Sequence, residues 1–87
     1  MPKFLIERDI PGAAQFTPEQ PLAISSSACS TLRGIDPDVL WITSFVTADK
    51  IYCIYIAPDE EVIRRNAFEG GFPANIITLI QSTIAPA

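Results

Sequence analysis

No histidine occurs in the 87 residues of this chain. That removes the side chain most often used as a base near neutral pH, the Ser-His pair of many hydrolases and the commonest nitrogen ligand of transition metals. Basic residues are nearly as scarce. Lys3, Arg8, Arg33, Lys50, Arg64 and Arg65 are scattered, only the last two adjoin, and the net charge is −4. Phosphate backbones and anionic membrane surfaces are held by clustered cations, so neither nucleic acid nor a membrane is an expected partner. The two cysteines, Cys29 and Cys53, lack the spacing of a zinc ribbon or a CxxC pair and read as small, buried, reduced hydrophobes. Glycine is rare, and Gly70-Gly71 stand at a helix exit, whereas a phosphate-binding loop places its glycines at a helix start. No apolar run is long enough to span a bilayer. Met-Pro-Lys leads straight into a strand pattern rather than a leader, so the expected compartment is the cytoplasm.

What remains is strongly patterned. The apolar share, 48%, is high for a chain that has room for one domain over residues 1–87 and for only a thin core. Residues 3–10, KFLIERDI, alternate as a strand, with Phe4, Ile6 and Arg8 on one face and Leu5, Glu7 and Asp9 on the other; Pro11-Gly12 stops it. Thr17-Pro18-Glu19-Gln20 opens a helix, with Pro21 expected to distort its first turn or restart it. Leu22, Ala28, Cys29, Leu32 and Ile35 give that helix an apolar stripe, and Gly34 is expected to end it. Residues 39–47, VLWITSFVT, form a second strand in which alternation places Trp41, Thr43 and Phe45 on one face. A short turn leads to 51–57, IYCIYIA, apolar on both faces as a central strand is. Asp59, Glu60 and Glu61 start a second helix with Val62, Ile63 and Ala67 inward, and Gly70 or Gly71 ends it. Residues 75–84 read as the last strand.

The order βαββαβ, with right-handed crossovers, is the split βαβ or ferredoxin-like arrangement: an α+β domain with a four-stranded antiparallel sheet and two helices on one face. The other face is left open, and its apolar residues imply a homodimer. Five residues stand out as candidates for ligand binding at that face. Glu7 lies in a strand among apolar neighbours, and under a partner chain it becomes an acid, a base or a ligand; left wet it is a solvated charge beside a cation. Trp41 and Phe45 form an aromatic stripe that walls either a pocket or an interface, unless it faces the helices and is core. Tyr52 and Tyr55 point to opposite faces, and Tyr55 is assigned to the open side. Asn66 sits beside the inward Ala67 on the second helix.

Four stretches carry a family resemblance: residues 4–12 (FLIERDIPG), 41–46 (WITSFV), 51–60 (IYCIYIAPDE) and 70–74 (GGFPA). Nearly the full chain resembles a family of small bacterial proteins of unknown function. One member is a nickel-binding protein with a ferredoxin-like fold that dimerises. The resemblance implies that fold, a dimer and, as a cofactor, a divalent metal such as nickel. The family commonly reads Glu-His-Ala where this chain has Arg65-Asn66-Ala67, and a neutral amide is a poor nickel ligand.

The expected function is binding without catalysis, of a metal ion or a small molecule, at the open sheet face of a cytoplasmic homodimer. The alternatives are a cofactor-independent isomerase or oxygenase of the dimeric α+β barrel type, with Glu7 as base, and a purely structural interaction module.

Overall fold

Strand β1 (Lys3–Asp9) occupies the interior of the sheet, with a neighbour on each side. Its alternation is the one expected: Phe4, Ile6 and Arg8 are buried, while Lys3, Leu5 and Glu7 are half-buried on the opposite face. The remaining elements are α1 (Glu19–Ile35), β2 (Leu40–Val46), β3 (Lys50–Ile56), α2 (Glu60–Gly70) and β4 (Ile76–Ile80), with a 3-10 turn at Ala13–Gln15. The sheet order is β2-β3-β1-β4 and every pairing is antiparallel. This is the ferredoxin-like topology. The computed structural model describes residues 1–15, 19–71 and 73–86, the side chains of 20–25 apart.

One apolar layer holds the fold together. Phe4 and Ile6 of β1, Ile51, Cys53 and Tyr55 of β3, Leu32 of α1 and Ile63 of α2 belong to a single buried cluster, so both helices cover the same sheet face. The shortest dimension of the molecule is 20 Å. Sheets and helices pack about 10 Å apart, so that thickness accommodates two layers and no third.

The local chemistry accounts for the helix ends. The Asp59 carboxylate accepts from the Val62 amide at 3.0 Å, satisfying one of the orphan donors of α2, and Glu60 and Glu61 follow at the positive end of its dipole. Glu60 pairs with Arg64 and Arg65 with Glu69, both at i,i+4 and 3.0 Å. Gly71 ends α2 in the left-handed region at φ 70°. Helix α1 runs unbroken through Pro21, because the first four amides of a helix have no intrahelical acceptor and a missing one there costs no bond. It passes Gly34 and ends at Ile35. Thr17, expected as the cap, and Pro18, expected at the first helical position, lie outside the described residues.

Two strands differ from the sequence reading. In β2 the register shifts between Trp41 and Thr43: Trp41 pairs with Tyr55 and Thr43 with Ile54, leaving Ile42 as an extra residue. Such a bulge reverses the parity of all that follows. Strand β4 stops at Ile80 instead of Ile84, and Ile84 is 94% exposed. Ile80 pairs with Lys3, the first residue of β1, and the residue before it is Pro2, which has no amide hydrogen with which to extend the ladder.

Candidate functional site

The register arranges the open face in three rows. Phe45, Tyr52, Glu7 and Ile76 cross the sheet side by side; Thr43, Ile54, Leu5 and Thr78 form the middle row; Leu40, Ile56, Lys3 and Ile80 form the third. Most of these side chains are apolar, and Phe45, Leu40 and Ile76 remain about half exposed, at 56%, 50% and 48%. On β1, Lys3 lies in one outer row and Glu7 in the other, with the Asp9–Lys50 pair beyond Glu7 on the same face.

Of the five residues singled out in the sequence, only Glu7 and Phe45 share this face. Trp41 does not: the bulge turns it to the helix side, half-buried against the core. There its indole N–H donates to the Ser44 hydroxyl at 3.0 Å, and that hydroxyl donates to the Cys53 sulfur at 3.1 Å. Tyr55 is likewise inside, fully buried opposite Phe4 and Trp41, and Tyr52 is the tyrosine of the open face. Asn66 is fully buried on α2, which places it in the layer beneath the helices and away from the open face. Neither Cys29 nor Cys53 forms a disulfide.

Electrostatics divide the same way. On the open side the ammonium of Lys50 lies 3.6 Å from both Glu7 and Asp9. Asp9 above all, then Tyr52 and, more weakly, Glu7 raise the Lys50 pKa above its ordinary value, while desolvation opposes them. The gap between the two carboxylates is therefore filled by a cation the chain itself provides. On the inner side, burial raises the Tyr55 pKa; neighbouring Cys53 and Cys29 add to this and the Arg8 guanidinium opposes it.

Arg8 is the residue that the sequence reading passed over. It is 1% exposed. Its Nη1 donates to the Pro73 carbonyl at 2.7 Å, which carries the charge to the C-terminal end of α2, where the helix has no basic residue of its own. The signal was present in the alternation, since Arg8 shares its parity with Phe4 and Ile6, but an arginine near a strand end reads as solvated.

A nickel ion does not fit the donors of one chain. The described residues gather no group of three or more His, Cys, Asp or Glu able to hold a metal. Glu7 and Asp9 are already bridged by Lys50, and Asn66 supplies an amide where an imidazole would be needed. Among the described residues no helix is long and apolar enough to cross a membrane.

Comparison with known proteins agrees with the fold. The crystal structure of SCO4226 from Streptomyces coelicolor A3(2) superposes with a TM-score of 0.78 at 18% identity, covering 94% of this chain and 99% of that one. No curated protein matches the sequence. The model of the nickel responsive protein family named SCO4226-like matches residues 4–80, nearly the whole domain from β1 to the end of β4. The chain therefore belongs to the SCO4226-like family.

Proposed function

We propose that this chain is a small binding protein that works as a homodimer, two open sheet faces closing on one another around a ligand site. The observation that carries this reading is the open face itself, three rows of mainly apolar side chains on a molecule two layers thick. Exposed apolar surface of this extent, rimmed by charge, marks an interface. A second copy suits it on grounds of charge. A two-fold axis in the sheet plane and perpendicular to the strands reverses β1, and so sets Lys3 of one copy over Glu7 of the other. An axis along the strands would oppose like charges.

Within such a dimer Glu7 and Tyr52 supply polar contacts, and Phe45, Leu5 and Ile54 supply the walls. That composition suits a small, mostly apolar molecule with one polar group. The nickel response named for the family enters this reading only if the second copy contributes ligands, because one chain does not assemble them.

The test is light scattering during gel filtration. Wild-type protein at micromolar concentration is expected to have twice the mass of the chain. Ile54→Glu, which places a carboxylate in the middle row of each of the two facing sheets, is expected to give a folded monomer. A monomeric wild type would overturn the reading.

A further inference from the structure

The inner layer contains a polar feature that neither the dimer nor the open face uses. Arg8 has three guanidinium nitrogens; Nη1 donates to the Pro73 carbonyl, and the Tyr55 hydroxyl also lies against the guanidinium. Among the described residues, Nε and Nη2 are buried without a hydrogen-bond partner, and so are both amide atoms of Asn66, Oδ1 and Nδ2. Among the described residues no carboxylate pairs with Arg8. A guanidinium keeps its charge in any protein environment, so it cannot escape burial by losing a proton. Buried polar atoms are nearly always satisfied, and a set of four left open in one layer calls for a group that satisfies them.

The pattern of open atoms specifies the group. Nε–H and Nη2–H lie on one edge of the guanidinium plane and point in parallel, the fork that takes two oxygens of a carboxylate or phosphate. The third nitrogen, which would break that match, is the one occupied by Pro73. Pro73 lies just past the end of α2, and Asn66 faces inward one turn before that end. Both side chains therefore serve the same end of the helix. The Asn66 Nδ2–H donates to an anion, while its Oδ1 accepts from a hydroxyl.

We propose that the layer between sheet and helices at the C-terminal end of α2 binds a small anion with two oxygens on one edge, held by the Arg8 fork and by Asn66. A ligand that also bears a hydroxyl, such as hydrogen phosphate or a hydroxycarboxylate, carries the complementary group for each of the four open atoms. This site lies on the opposite side of the sheet from the dimer face, so it stands or falls separately.

The experiment uses full-length protein exchanged into chloride at constant ionic strength, titrated with inorganic phosphate and, separately, with glycolate. The readouts are the melting temperature and the Arg8 Nε–H signal in a proton–nitrogen spectrum. At least one anion is expected to raise the melting temperature and to shift that signal saturably. Arg8→Lys keeps the charge but loses the fork, and is expected to bind roughly tenfold more weakly or worse. Asn66→Asp places a carboxylate beside the fork; it is expected to melt higher than wild type without added anion and to stop responding to either probe. No saturable response in the wild type would overturn the proposal. So would an equal response in wild type and Arg8→Lys, which would mark adventitious surface binding.

Discussion

Tyr52 and Tyr55 stand three positions apart in one strand and occupy different media. Tyr52 lies on the open face beside Glu7 and Phe45, whereas Tyr55 has no exposed surface and its pKa is raised, chiefly by burial. The sign of the linkage follows. A phenol whose pKa is higher in the folded state than in the unfolded chain holds its proton more tightly when folded. Its contribution is therefore complete below about pH 10, the unfolded value, and is lost as pH rises beyond it. Alkaline titration followed at 295 nm is expected to show Tyr55 ionising together with the loss of circular dichroism; ionisation of both tyrosines with the fold intact would contradict this. The misassignment of Tyr55 and Trp41 has a plain cause. Strand β3 is apolar on both faces, so alternation alone does not say which face meets the helices. In β2 simple alternation carries parity straight through Ile42, where the register slips.

The helices test how far a single glycine can be read. Gly34 lies inside α1 and Gly71 caps α2 at positive φ, and a methyl added at either meets nothing within 4 Å. Space being equal, only backbone conformation differs. Gly34→Ala is expected to stabilise the protein by roughly 0.5–1 kcal/mol, the helix-interior penalty of glycine. Gly71→Ala is expected to destabilise it by about 1 kcal/mol, the cost of a side chain in the left-handed region. Urea midpoints measured at an unchanged slope check both. Helix α2 was legible almost residue by residue, because its cap, its acidic first turn and its glycine exit are all local chemistry. The bulge and the early end of β4 were not, because each depends on which backbone lies alongside, and a single strand's sequence does not carry its neighbour's register.

At the scale of the molecule, order of elements and hydrophobic period sufficed for the topology, since a βαββαβ order has few right-handed solutions. The burial of Arg8 and of Asn66 was illegible, because each is set by how the sheet and α2 pack together rather than by its own neighbours in sequence. The same scale bears on the metal. With Lys50 bridging Glu7 and Asp9, and no three donors together among the described residues, native mass spectrometry in the presence of nickel is expected to show no stoichiometric adduct on the protein. A retained ion on a dimer would instead assign its ligands to both copies. The place of β1 has one more consequence, for synthesis. Of the four strands described, the first to leave the ribosome is an inner one, and its outer neighbour, β4, is the last of the four, Lys3 pairing with Ile80. At about 5–20 residues per second, the nascent chain waits several seconds with one edge of β1 unsatisfied. A chain cut short before Ile76 keeps that edge permanently, as a row of open amides and carbonyls on an apolar strand, the template on which aggregates grow.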